Sequence, residues 1–130
     1  MASTEDSLRL LLLTDIHHAT TDAEDPPSPW EFHCRLGAEL VRRAMDDADR
    51  RGGFDAVLLL GDLMNDGTKP GSAESLGQVV QTVRRGASGR PVLVVPGNHD
   101  GDPDRIPAAF GQAPGVHVLR GRDGTPYRFL

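Results

Sequence analysis

Three short runs along the chain are apolar almost throughout: Leu8–Leu13 (interrupted by Arg9), Ala56–Leu60 and Val92–Val95. Runs this short, without polar alternation, fit strands of a parallel sheet buried under helices on both faces. Between the first two runs, Leu36, Leu40, Ala44, Met45 and Ala48 form an apolar stripe among Arg and Asp. That stripe predicts a helix, which Gly52-Gly53 stops. A second helix is expected from near Ser72, with Ser72-Ala73-Glu74-Ser75 offering a cap. Its apolar face is Leu76, Val79, Val80 and Val83, and it ends at Gly86. The alternation of strand and helix predicts right-handed crossovers and a layered α/β fold. Beyond Val95 the pattern weakens. Asp102–Phe110 reads as a short helix, and Val116–Leu119 and Tyr127–Leu130 as strands around the turn Arg122-Asp123-Gly124.

At 130 residues the chain has room for one domain. A net charge of −5 argues against a purely electrostatic nucleic-acid binder, which needs a basic face. A single cysteine, Cys34, excludes an intrachain disulfide and a thiolate-rich zinc site. Leu8–Leu13 is too short for a signal-peptide core or a membrane span, so a cytoplasmic location and no membrane partner are expected. The acidic, proline-rich stretch Ala19–Trp30 reads as a long loop.

The chemistry follows the strands. Thr14-Asp15-Ile16-His17 comes after the first, Gly61-Asp62-Leu63-Met64-Asn65-Asp66-Gly67 after the second, and Pro96-Gly97-Asn98-His99-Asp100 after the third. In parallel α/β sheets ligands bind beyond the carboxyl ends of the strands, so these segments should meet at one edge. Asp15 and His17, two apart, project to the same side of an extended segment. Asp62 has two oxygens and is able to bridge two cations, and Asn98 offers a neutral amide oxygen. A sulfur-free set of oxygen and nitrogen donors suits Mn, Fe or Zn. Bound divalent cations would relieve the repulsion among Asp15, Asp62, Asp66 and Asp100 and draw in an anion. Two bridged metals hold a phosphate and a water for in-line displacement at phosphorus, with His99 steadying charge or protonating the leaving oxygen.

Asp15-x-His17, Gly61-Asp62-x-x-x-x-Gly67 and Gly97-Asn98-His99-Asp100 together resemble the first three motifs of the calcineurin-like metallophosphoesterase superfamily, over roughly Leu8 to Leu119. The resemblance implies that Asp15 and His17 bind a first metal, Asp62 bridges, Asn98 binds a second, and His99 is the catalytic histidine. It implies two divalent ions (Mn, Fe or Zn) and hydrolysis of a phosphate mono- or diester by a metal-bound hydroxide. It also implies the first half of a β-sandwich flanked by helices. Family members supply further histidine ligands from later motifs, whereas the only histidine after His99 here is His117. Residues 1–130 therefore read as one domain that ends short, with the second metal site incomplete unless a partner or further polypeptide completes it. The competing reading is an inactive remnant that binds metal or protein, self-associating through Tyr127–Leu130. A phosphate-accepting signalling domain needs a lysine at a late strand end, and Lys69 stands in a loop after the second strand.

Several residues have plainer readings. Asp66 and Asp100 are commonly turn and cap residues, with direct metal binding as the alternative. His18 should point away from His17, into packing or solvent, with substrate contact as the alternative. His33, with Trp30 and Phe32, reads as a loop anchor or part of a substrate wall, and Cys34 as a small buried side chain.

Overall fold

The computed structural model describes residues 7–26 and 33–119. The expected strand Tyr127–Leu130, the turn before it, and Trp30 and Phe32 lie outside these residues. Four strands, β1 (Leu10–Leu13), β2 (Ala56–Leu59), β3 (Val92–Val94) and β4 (Val116–Val118), form one sheet in the order β1-β2-β3-β4. All are parallel, with Leu11 opposite Val57, Val57 opposite Val92 and Val92 opposite Val116. The connections carry α1 (Gly37–Arg50), α2 (Ser72–Ala87) and α3 (Arg105–Phe110). The α/β reading, with helical crossovers between strands, holds. None of these helices is long and apolar enough to cross a membrane.

The expectation of a sheet covered on both faces is corrected by the strand order. Right-handed crossovers move their helices to the second face only where the direction of strand addition reverses. Here the strands add monotonically, so all three helices stack on one face. Val57, Leu59, Val92 and Val94 point into that layer and join Val41, Met45, Val79, Val83, Ile106 and Phe110 in one core. The other face carries Leu10, Leu12, Leu58, Leu93 and His117, and no described element covers it. Leu10 and Leu12 are 43% and 56% exposed there.

Two local expectations also change. The core face of α1 is Gly37, Val41 and Met45, with Ala48 packed beside them, whereas Leu36 and Leu40 face outward. The cap of α2 is Gly71, at φ 91°, and not a serine side chain. The Ser72 hydroxyl donates instead to the Gly67 carbonyl at 3.1 Å, tying the start of α2 to the loop after β2.

Candidate metal centre

The loops after β1 and β2 continue the parallel ladder past the strand ends. His17 N donates to Asp62 O at 2.9 Å, His18 N to Leu63 O at 3.0 Å, and Asn65 N to His18 O at 3.0 Å. The loop after β3 joins them, with Gly67 N donating to His99 O at 2.7 Å and His99 N to Asp62 Oδ1 at 2.9 Å. Gly97 makes this approach feasible, since a Cβ there would lie 2.1 Å from Asp62 Oδ1.

This lacing brings Asp15, His17 and Asp62 together. One ligand atom from each lies within 4.8 Å of the other two. His17 Nε2 is 3.6 Å from Asp15 Oδ1 and 3.8 Å from Asp62 Oδ2. All three residues have left-handed backbones, at φ 52°, 46° and 53°. Non-glycine residues in this region cost about 1–3 kcal/mol each and persist where the surroundings over-determine them. Here the interstrand hydrogen bonds supply that constraint.

The donor set fits a divalent cation. Two donors each about 2.1 Å from one ion stand roughly 3.0–3.4 Å apart. The observed 3.6 and 3.8 Å are within a few tenths of an ångström of that spacing and too long for hydrogen bonds. The Thr14 hydroxyl, 2.6 Å from Asp15 Oδ2, lowers the pKa of that carboxyl, aided by His17 and His99.

His99 packs edge-on against His17, with ring centroids 4.6 Å apart. Its Nδ1 lies 2.7 Å from the Asn65 carbonyl. A carbonyl only accepts, so Nδ1 carries the hydrogen and Nε2 is left to take or give a proton. Asn98 begins the short turn Asn98–Asp100 at the end of β3 and is exposed, directly before His99.

The other candidates are held elsewhere. Asp100 is fully buried: Oδ1 accepts from Leu63 N at 2.7 Å and Met64 N at 3.0 Å, and Oδ2 from Gly97 N at 2.8 Å. It clamps the second loop to the third. Burial pushes its carboxyl above the usual range, against three backbone donors that favour the charged form. Asp66 accepts from Thr68 N at 3.0 Å and from the Thr68 hydroxyl, which lowers its pKa. His18 is buried, with Nδ1 3.2 Å from Cys34 O and Nε2 2.8 Å from Gln78 Oε1. Cys34 is buried, and that burial raises its thiol pKa. His117 is exposed in β4, in register with Leu93 on the bare sheet face.

Two contributors carried no usable signal in the sequence. Asn65 acts on His99 through its carbonyl, which every residue has, while its side-chain amide donates to Glu24 O. Glu24 is 1% exposed, and its Oε2 accepts from Thr21 Oγ1 at 3.0 Å and Ser75 Oγ at 2.9 Å. It pins the described part of the Ala19–Trp30 loop to α2, and the Ser75 partner, 51 positions away, is visible only in the fold.

The calcineurin-like phosphoesterase family model matches residues 8–126. The chain belongs to that family. Among solved structures it is similar to a dimetal phosphatase from Danio rerio, at 24% identity and a TM-score of 0.58 over 72% of this chain. It is also similar to the nuclease MPE of Pseudomonas putida, at 21% identity and a TM-score of 0.47 over 85% of this chain. The first of these agrees with the fold described above. This calcineurin-like phosphoesterase chain covers 30% of the length of the first and 47% of the second. It matches no curated protein.

Proposed function

We propose that the chain forms the metal- and phosphate-binding part of a phosphoesterase that hydrolyses a phosphodiester. The observation that carries this is the convergence of Asp15, His17 and Asp62 within 4.8 Å, beside a histidine with a defined tautomer. Asp15, His17 and Asp62 would hold a first divalent cation (Mn, Fe or Zn), and Asp62 with Asn98 a second, with further ligands coming from other polypeptide. Bound there, such cations supply Lewis acidity that activates water and neutralises phosphate. With both ring nitrogens protonated, His99 would direct its Nε2–H to the phosphoryl group and pass that proton to the leaving oxygen, ending as the Nδ1–H tautomer that the Asn65 carbonyl holds. Asp100 keeps the loops carrying Asp62 and His99 in register.

The test is hydrolysis of bis(4-nitrophenyl) phosphate with manganese or zinc added and removed, with elemental analysis of the protein. Asp62→Ala is expected to abolish both metal retention and turnover. His99→Gln is expected to lower kcat by about 10²–10⁴ with metal retained. Turnover that persists in excess chelator overturns the proposal.

The bare leucine face of the sheet favours a second reading, an interaction module. In it the occupant is a second copy, pairing the same uncharged leucines face to face about a twofold axis.

A further inference from the structure

A cleft of about 700 Å³ opens beside Asp15 and His17, and its lining mixes polar and apolar side chains. Its polar lining is Asp15, His17, His33, Asn65 and His99, and its apolar lining is Ile16, Cys34 and Leu40. Leu40 is 53% exposed on a helix whose outward positions are otherwise largely charged, including Glu39, Arg42, Arg43 and Asp46. It lies one position before Val41, off the stripe that packs on the sheet, so the core does not account for it. The apolar lining is also held at a fixed distance from the ligands. α1 begins at Gly37, where a Cβ would lie 2.8 Å from Ile16 O and 3.0 Å from His18 Cα. The helix carrying Leu40 therefore docks directly on the Asp15–His18 segment. Among the described lining residues none is lysine or arginine. A monoanionic diester makes less demand for added positive charge than a dianionic monoester, and it brings a second organic group that needs a surface.

Resting on the phosphodiesterase reading above, we infer that Leu40, with Ile16, forms a binding surface for an aromatic ester group of a phosphodiester substrate. The phosphoryl group would sit at the cation that Asp15, His17 and Asp62 would hold, with the ring against the Leu40 side chain. Apolar contact of this kind changes relative specificity by about 10–200-fold.

Two measurements test this on the full chain. The first compares kcat/KM for bis(4-nitrophenyl) phosphate and methyl 4-nitrophenyl phosphate, which share a leaving group and differ in the second ester. The second titrates zinc-supplemented protein, labelled at leucine methyls, with phenyl methylphosphonate or methyl methylphosphonate, neither of which carries a good leaving group. Leu40→Gln, a neutral change at a solvent-facing helix position, is expected to lower the aryl-over-methyl kcat/KM ratio about tenfold. The Leu40 methyl signals are expected to shift with the phenyl probe and not with the methyl probe. Hydrolysis of both esters with a ratio unchanged by Leu40→Gln, and no phenyl-specific shift, overturns the inference and leaves the phosphoesterase reading standing. A phenyl-specific Leu40 shift without any turnover supports the surface and counts against that reading. Absence of both overturns the two together.

Discussion

A left-handed backbone is costly for aspartate and histidine, yet Asp15, His17 and Asp62 all adopt it at the tips of neighbouring strands. Strain at one such residue is an ordinary turn. Among the described residues, three of the four non-glycine positions with positive φ are the ones whose side chains converge. Gly97 bears the steric side of that arrangement. Its φ of −99° is open to any residue, but a Cβ would sit 2.3 Å from Asp62 N. Gly97→Ala is therefore expected to push the β3 loop off the β2 loop. Destabilisation should be about 1–3 kcal/mol in urea unfolding, with metal retention lost in elemental analysis. Full stability with metal retained would show that the loops separate without consequence. The sequence singles out Asp15, His17, Asp62, Asn98 and His99 because metal chemistry restricts which side chains serve, and the fold brings the first three together. The Asn65 carbonyl and the Glu24 anchor were not legible in the sequence, because a backbone acceptor and a buried loop acid are defined only by what folds against them.

The helices show how far periodicity reaches. Their existence and approximate ends followed from apolar spacing and glycine stops, but the face of α1 was misjudged. Leu36 and Leu40 outrank Gly37 in hydrophobicity, whereas the chain buries Gly37 because α1 must approach the Asp15–His18 segment closely. Two glycines of α2 separate helix propensity from packing. Nothing lies within 4 Å of a Cβ at Gly77, so Gly77→Ala is expected to raise stability by about 0.5–1 kcal/mol. At Gly86 a Cβ would meet Met45 Sδ at 2.5 Å, so the same change should destabilise despite its better propensity. Thermal melts of the two variants should move in opposite directions. The exposed face of α1 adds a pH effect. Arg42 and Arg43, at 2.8 Å, lower the Glu39 pKa to about 2. An acid whose pKa is depressed in the folded state contributes fully above its unfolded value, near 4.5, and loses that contribution as pH falls toward 2. The surface location makes the effect small and salt-sensitive. Glu39→Gln should thus narrow the stability gap between pH 5 and pH 2.5 at low salt, with little change at high salt.

At the scale of the whole fold, the described residues form two layers with one sheet face uncovered among them, and this follows from topology more than from side chains. Apolar residues at successive positions of Leu10–Leu13 announce two apolar faces, and nothing in the strands themselves says what lies on each. The monotonic strand order sends every helix to one side and leaves Leu10, Leu12, Leu58 and Leu93 on the other. A sheet face of leucines and one histidine, with no carboxylate, lysine or arginine among its described strand residues, is a surface that water disfavours, and its leucines pair with their own copy without bringing like charges together. We therefore expect the chain to self-associate in sedimentation velocity at tens of micromolar. Replacing Leu10 and Leu12 together by lysine should keep it monomeric, because both side chains are already exposed and two positive charges on each face would have to be buried. The comparison also locates the further ligands that the phosphoesterase reading needs. The leucines lie on the flat of the sheet, and Asp15, His17 and Asp62 beyond the carboxyl ends of its strands. Metal-dependent turnover that persists in the monomeric variant puts those further ligands outside the leucine interface. If turnover instead appears only in the associated wild type, a second copy completes the ligand set. A wild type that stays monomeric throughout the concentration range removes the second copy as the occupant of the bare face.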